Sequence, residues 1–161
     1  LDEGGALPHE QVSVLELAQE AARSLTAQAA AQAVHISVTG TAGTVFGVRR
    51  LLYEIARNLC ENAVKYNVPG GSVTVEVAET DRDVTLLVRD TGIGIPEGDQ
   101  SRVFERFYRV DKSHSRAIGG TGLGLSIVKH AVAYHHGTLR LESQPGKGTV
   151  ITVTLPKKPT E

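Results

Sequence analysis

Apolar residues recur along this chain with two periods, which predict helices and strands in turn. From Ser13 to about residue 33 they return every three or four positions, and Ser13 with Glu16 has capping-box spacing. A second helix is predicted from about Arg49 to Asn67, before a Pro-Gly-Gly stop. A third is predicted from Leu125 to His135. Three helices with apolar stripes therefore need a common surface to pack on.

Alternation of apolar and polar residues predicts the strands that supply this surface. Residues 34–39 and 44–48 are β-branched and separated by glycines, so they predict two strands and a turn. Residues 73–88 predict a hairpin with one buried face, and two more strands flank the turn at 144–148. The fold class predicted is α/β, a two-layer sandwich with a mixed, mostly antiparallel sheet and three helices on one face.

Composition narrows the possible partners. The 161 residues are 40% apolar and 22% charged, which fits one globular domain. A formal net charge of −1 gives no overall attraction to nucleic acid or membrane lipid. Cys60, the single cysteine, lies among apolar helix residues and is interpreted as a core thiol. The chain has no methionine and begins at Leu1, which indicates a piece of a longer protein.

One side of the second predicted helix is polar where a packing helix would be apolar. Asn58, Asn62 and Lys65 are spaced i, i+4 and i+7, so they share one stripe. Amide oxygens are hard ligands for Mg²⁺, and an ammonium group neutralises phosphate charge. The stripe is therefore either a solvated helix surface or a metal–phosphate site.

Two glycine clusters lie beside regular elements. Asp90 ends a predicted strand just before Gly92 and Gly94, and residues 119–124 carry glycines where the third helix begins. Glycine allows close approach of the backbone to a ligand, and a helix N-terminus directs free N–H groups at anions. Asp90 is either a turn residue or an acceptor for the amino group of adenine, which guanine lacks at that place.

Basic and aromatic residues fill the segment between the two clusters. Residues 102–116 contain five Lys or Arg, interleaved with Phe104, Phe107 and Tyr108. Arginines reach phosphates, and aromatic side chains anchor a polar loop. The segment at about 96–118 is interpreted as a lid over a nucleotide, with a surface loop that binds no ligand as the alternative.

Four motifs in this order resemble the N, first glycine, F and second glycine boxes of bacterial sensor histidine kinases. They are Asn58-Leu-Cys-Glu-Asn-Ala-Val-Lys-Tyr66, Asp90-Thr-Gly-Ile-Gly-Ile95, Phe104-Glu-Arg-Phe-Tyr-Arg109 and Gly120-Thr-Gly-Leu-Gly-Leu125. The similarity covers roughly residues 12–156 and implies the catalytic, ATP-binding domain with the Bergerat fold shared with gyrase and MutL. The implied boundaries are a linker at 1–11, the catalytic domain at 12–156 and a tail at 157–161.

The resemblance also implies roles for single residues. Asn62 matches the Mg²⁺ ligand with Asn58 beside it, Lys65 and Tyr66 match phosphate or ribose contacts, and Asp90 matches the adenine anchor. Gly94 lies next to that anchor, and Thr149 matches a water-mediated adenine partner. The implied catalytic set is Asn58, Asn62, Lys65 and Arg106. The implied ATP-binding set is Asn58, Asn62, Lys65, Tyr66, Asp90, Gly92, Gly94, Ile95, Tyr108, Arg109, Thr121, Gly122, Leu123, Gly124, Leu125 and Thr149.

Asn58 distinguishes the implied reaction from that of the gyrase-like ATPases. Those enzymes have a water-activating glutamate one turn before the magnesium asparagine, and an amide cannot take a proton. This favours a kinase that transfers the γ-phosphoryl group of ATP to a histidine. Glu61 and Glu54 are interpreted as surface residues. The alternatives are a non-catalytic nucleotide-binding switch and a serine kinase of the anti-sigma type, although the F box favours the sensor kinase.

No histidine in this chain resembles the acceptor of that reaction, since His9 and Glu10 share only two letters with an acceptor motif. The resemblance therefore places the acceptor on an upstream dimerisation domain, with a response regulator receiver domain as the next partner. It implies a monomeric fragment, in the cytoplasm, of a kinase anchored in the inner membrane. No nucleic acid partner is expected.

Overall fold

The computed structural model of the protein describes residues 7–105 and 124–158, and within these ranges it contains seven strands and four α-helices. The strands are β1 (Glu10–Ser13), β2 (His35–Gly40), β3 (Thr44–Gly47), β4 (Ser72–Glu79), β5 (Asp83–Asp90), β6 (Thr138–Gln144) and β7 (Gly148–Pro156). The helices are α1 (Val14–Ser24), α2 (Thr26–Ala31), α3 (Arg49–Lys65) and α4 (Gly124–Tyr134). None of the helices in these ranges has the length and apolar character needed to cross a bilayer.

Five strands form a mixed sheet in the order β2-β4-β5-β7-β6. Only the β2–β4 pair is parallel, so the predicted hairpins β4–β5 and β6–β7 are confirmed. The strands predicted at 34–39 and 44–48 both exist, but they belong to different sheets, since β3 pairs with β1. Gly40, with φ at 133°, lies against the backbone of Val77, where any Cβ would collide, and there the chain leaves the large sheet.

The core lies between the helices and one face of this sheet. Alternate residues of β4 and β5 are buried there, including Val73, Val75 and Leu86, which confirms the period-two reading of these strands. Cys60 is fully buried in the same cluster, and burial raises the pKa of its thiol to about 12. The thiol is therefore protonated at neutral pH and packs as an apolar group.

The single helix predicted from Ser13 to about residue 33 is two helices, α1 and α2, that break at Leu25. Side chains next to the break bond the backbone locally: Ser24 Oγ donates to the carbonyl of Ala21 at 2.7 Å, and Thr26 Oγ1 donates to that of Arg23 at 2.9 Å. Such bonds compete with regular helix hydrogen bonds. The helix starts where the capping box predicts, since Ser13 Oγ accepts from the N–H of Glu16 at 3.3 Å.

Strand β1 has no counterpart in the sequence prediction, which placed residues 1–11 in a linker. Glu10 and Gln11 pair with Gly47 and Phe46 of β3, and Val12 next to them is fully buried. A strand of four residues with a single apolar side chain leaves no periodic signal, because alternation needs at least two apolar positions.

Candidate functional site

Helix α3 brings Asn58, the first residue of its polar stripe, next to the start of α4. Asn58 Nδ2 donates to the carbonyl of Glu54 at 2.8 Å, which fixes the amide and turns Oδ1 away from its own helix axis. A Cβ added at Gly124 would lie 3.1 Å from that Oδ1. The first residue of α4 is therefore a glycine beside Asn58, and the structure brings these two predicted site residues together.

Asn62 and Lys65 continue this stripe towards the end of α3. Asn62 is half-buried, and its side-chain amide makes no hydrogen bond to any residue in the described ranges. The Lys65 ammonium lies 3.9 Å from Glu61 Oε2. The described residues contain no cluster of three or more His, Cys, Asp or Glu that would hold a metal alone. A Mg²⁺ ion here would need the Asn62 amide oxygen together with phosphate oxygens and water, which is how this ion is commonly held.

Asp90, at the end of β5, is held by two backbone groups on one of its oxygens. Oδ1 accepts from the N–H of Gly92 at 2.8 Å and from the N–H of Thr149 at 3.2 Å. No described residue donates to Oδ2. Burial raises the pKa of Asp90 to about 6, although both N–H bonds favour the carboxylate. Oδ2 is therefore the oxygen left to accept a hydrogen bond from a ligand.

Glycines allow the backbone to close in around Asp90. Gly148, with φ at 102°, lies against the Asp90 carbonyl, and Gly92 lies against the carbonyl of Tyr66. A Cβ at either position would collide with backbone atoms. The N–H of Ile93 donates to the same Tyr66 carbonyl at 3.0 Å. The first glycine box thus lies directly on the C-terminal end of the helix that carries the asparagines.

Two further residues that the sequence did not assign to the site fix the glycine loop to the β6–β7 turn. Ser143 Oγ accepts from the N–H of Ile95 at 2.8 Å and lies 2.8 Å from Thr149 Oγ1. Gln100 Nε2 donates to the carbonyls of Ile95 and Ser143, at 2.9 and 3.0 Å. Ser143 begins the stretch Ser143-Gln-Pro-Gly-Lys-Gly-Thr149, which also fits the resemblance to the sensor kinases, whereas nothing in the sequence singles out Gln100.

An open cavity of about 590 Å³ lies at this edge of the sheet, with Asp90, Thr149, Ser143 and Gln100 in its lining. Gly94, with φ at 75°, lies against the backbone of Gln144 and keeps the loop close to the strands. The lining combines the Asp90 carboxylate with hydroxyl and amide groups, and it also includes Glu142, Arg89 and Lys147. It can bind a planar polar ring that offers a donor to Asp90.

The remaining predicted residues divide into two groups. Tyr66 and Leu125 are half-buried at the end of α3 and the start of α4, next to the residues described above. The start of the predicted lid forms a short 3₁₀ turn at Glu97–Asp99, and Val103 is buried. The other predicted residues lie outside the described ranges, and they are Arg106, Tyr108, Arg109, Thr121, Gly122 and Leu123.

Comparisons with known proteins agree on one family. The family model described as "Histidine kinase-, DNA gyrase B-, and HSP90-like ATPase" matches residues 47–159. The sensor-like histidine kinase SenX3 of Mycolicibacterium smegmatis is 47% identical over 133 residues, which cover 81% of this chain and 35% of SenX3. The sensor histidine kinase WalK of Bacillus subtilis is 49% identical over 107 residues, covering 65% of this chain and 18% of WalK. This chain spans about a third or less of the length of these relatives.

Solved structures share the fold over almost the whole chain. The mycobacterial sensor histidine kinase MprB superposes with a TM-score of 0.81 at 33% identity, covering 95% of this chain and 100% of that one. The catalytic domain of the histidine kinase ThkA has a TM-score of 0.82 at 22% identity, covering 95% of this chain and 98% of that one. At that identity the ThkA likeness shows the fold alone. Both confirm the predicted α/β sandwich, with four helices in place of three.

Proposed function

Because the chain belongs to the family of histidine kinase-, DNA gyrase B- and HSP90-like ATPases, we propose that it is the ATP-binding catalytic domain of a sensor histidine kinase. It binds ATP with Mg²⁺ and transfers the γ-phosphoryl group to a histidine on an upstream dimerisation domain. A response regulator aspartate receives the group next. The observation that supports this most directly is the contact of the Asp90 loop with the end of α3, the helix whose Asn58 lies beside the start of α4.

Asp90 recognises the base in this proposal. Its free oxygen, Oδ2, accepts from the 6-amino group of adenine, while Gly92 and Thr149 hold the other oxygen in place. The Thr149 hydroxyl lies against Ser143 Oγ and completes the polar edge around the ring. A base with a carbonyl at position 6 would set two acceptors against each other, so adenine is favoured over guanine.

Asn62 and Asn58 hold the metal and the phosphates. The Asn62 amide has no partner among the described residues, so its oxygen is available to Mg²⁺. When bound, Mg²⁺ neutralises charge that develops on the transferred phosphoryl group. Lys65 contributes a second positive charge from the same helix, and the first N–H groups of α4 face the phosphates.

The same residues favour transfer to a protein acceptor over transfer to water. Asn58 cannot take a proton, and its Nδ2 is already committed to the Glu54 carbonyl. Glu61, on the same helix, faces two cations, one with each carboxylate oxygen. The position one turn before Asn62 therefore carries no base to activate water, and catalysis rests on positioning and charge neutralisation.

The partners and the location follow from the relatives as part of the same proposal. SenX3 and WalK are named sensor histidine kinases, which supports an upstream dimerisation and phosphoacceptor domain and a response regulator receiver domain. We place the domain on the cytoplasmic side of an inner membrane to which the parent kinase is anchored. The similar proteins reported above do not favour the alternatives of a serine kinase or a silent nucleotide switch.

Phosphoryl transfer to an added acceptor-helix domain of the parent kinase tests the proposal. The chain with Mg²⁺ and ATP should produce an acid-labile, base-stable phosphohistidine on that domain. Asn62→Ala should abolish this product by removing the ligand oxygen, while Asn62→Asp, which keeps an oxygen there, should retain part of it. Phosphate on serine, or full activity of Asn62→Ala, would contradict the assignment.

A further inference from the structure

Three charged side chains form a row on α3 beside the asparagines. Arg57 Nη1 lies 3.2 Å from Glu61 Oε1, and Lys65 Nζ lies 3.9 Å from Glu61 Oε2. One carboxylate therefore faces two cations, one with each oxygen. The Glu61 side chain is 28% exposed, so it lies at the surface with both carboxylate oxygens next to cations.

The two cations depend on Glu61 to different degrees. Arg57 Nη1 is buried and makes no well-aligned hydrogen bond, so the Glu61 carboxylate is what compensates its charge. Lys65 lies at a longer distance and on a flexible stem, and an ion pair of this kind is weak. A competing anion would therefore take Lys65 from Glu61 and leave the Arg57 pair in place.

We propose that Glu61 is a positioning residue that pairs with the Lys65 ammonium when no nucleotide is bound and competes with the phosphates for it. Helix side chains lean towards the N-terminus, so a Lys65 bound to Glu61 lies over the turn that carries Asn62. Incoming phosphates then displace the carboxylate from Lys65. Glu61 therefore lowers the affinity for nucleotides whose phosphates contact Lys65. The lower affinity makes release of the product nucleotide easier. This inference rests on the proposed function.

Glu61→Gln tests the competition, because it removes the charge and keeps the shape. Calorimetry with Mg²⁺ should show ATP binding tighter than wild type by about two- to fivefold, the range expected for loss of one weak ion pair. Adenosine, which has no phosphate, should bind both proteins equally. A merely structural role for Glu61 would instead change the affinities for ATP and adenosine together.

A double-mutant cycle shows whether the effect passes through Lys65. In a Lys65→Met background, Glu61→Gln should leave the ATP affinity unchanged. Glu20→Gln is the matched control, because Glu20 also lies 3.9 Å from a cation, Arg49, but away from the site. That control should bind ATP as wild type does. Thermal melting of each variant checks that it is folded.

A measurement on the unaltered chain supports the same conclusion without any variant. The NMR signal of the Lys65 ammonium should shift when ATP is added and stay in place with adenosine. The proposal is overturned by weaker or unchanged ATP binding in Glu61→Gln, by equal tightening with and without Lys65, or by an unresponsive Lys65 signal. If the wild-type chain fails to bind ATP at all, the proposed function itself is wrong; if it binds, these outcomes refute the role of Glu61 alone.

Discussion

Asp90→Asn replaces the base-reading carboxylate by a group of the same shape. The N–H groups of Gly92 and Thr149 donate to one oxygen of residue 90, at 2.8 and 3.2 Å. In the variant, the amide oxygen takes this place, because an amide nitrogen would face two other donors. The Asn nitrogen is then forced into the position of Oδ2 and points a donor at the amino group of adenine.

The size of the effect follows from the bond that is lost. A hydrogen bond to a charged group contributes about 1.5–3 kcal/mol. Since about 1.4 kcal/mol corresponds to a factor of ten, the dissociation constant for Mg²⁺·ATP should rise about 10- to 150-fold. A 6-oxo purine such as that of ITP offers an acceptor at the same place, so its affinity relative to ATP should increase. Calorimetry with both nucleotides measures the two changes.

A measurement of thermal stability distinguishes the loss of ATP binding in Asp90→Asn from a loss of the fold. The folded-state pKa of Asp90 is raised from 3.8 to about 6, so the folded state binds a proton more tightly than the unfolded chain. Its contribution to stability is present at acid pH and is lost as the pH rises through 6. At pH 8 the wild-type protein buries a charged carboxylate, whereas Asp90→Asn buries a neutral amide. The variant should therefore melt at or above the wild-type temperature at this pH. Asp83→Asn, at the other end of β5, is the control and should change neither property.

Unchanged ATP affinity in Asp90→Asn, with the fold intact, would refute the reasoning. It would mean that Oδ2 does not contact the base, whatever the base is. An equal loss of affinity for ATP and ITP would also contradict this assignment. A donor at residue 90 should weaken binding of the 6-amino purine and favour the 6-oxo purine. Only a shift in preference from the 6-amino to the 6-oxo purine supports the assignment in full.

Further expectations concern pH and the helix ends. ATP affinity of the wild-type chain should fall as the pH drops through about 6, because protonation removes the acceptor of Asp90, and calorimetry from pH 5 to 8 should show no such step in Asp90→Asn. His136 has φ at 61° just after α4, so His136→Gly should stabilise the fold by about 0.5–1 kcal/mol in denaturant unfolding. Ala33, with φ at 56° after α2, should respond to glycine in the same way, and destabilisation of both variants would contradict this account.

Local patterns predicted most elements because burial of one face is a local property. The alternation from Val73 to Val88 alone fixes a hairpin and its inward side, as observed. The break at Leu25 was invisible, since it depends on which of several side-chain to backbone bonds form at Ser24 and Thr26. Strand β1 was missed because Val12 is the one apolar residue among its four, so it shows no alternation.

The sequence predicted which residues belong to the candidate site, but not the hydrogen bonds that hold them in place. Asp90, Gly92 and Thr149 stand out in the motifs, yet their hydrogen bonds depend on the pairing of β5 with β7, which sets Asp90 opposite Thr149. Gln100 became visible only through the contacts of the folded loop. The residue types in the sequence indicate that a hydrogen-bond acceptor is present. The long-range register of β5 with β7 determines which oxygen of Asp90 remains free to bind a ligand.

His135 is the clearest example of a residue whose role is visible only in the folded structure, because no sequence motif includes it. It is buried, and burial lowers the pKa of its imidazole, which therefore stays neutral. Its Nδ1 donates to the carbonyl of Ala131 at 2.8 Å, which leaves Nε2 to accept from the N–H of Val48 at 3.1 Å. Val48 is the N-cap residue of α3, and no side chain caps that helix in the usual way. The imidazole thus satisfies the N–H of the N-cap residue, as an N3 glutamate does in a capping box, and joins the end of α4 to the start of α3.

The two helices that carry the site are consequently connected at two places. Asn58 lies ten residues after Val48 on α3, and His135 lies eleven after Gly124 on α4. At about 1.5 Å per residue, these intervals are about 15 and 16 Å, so antiparallel helices can make both contacts without bending. The distance between Asn58 and the start of α4 is therefore set partly by a histidine at the far end. Sequence motifs locate only the near end, because they mark residues that touch the ligand and not those that fix the spacing.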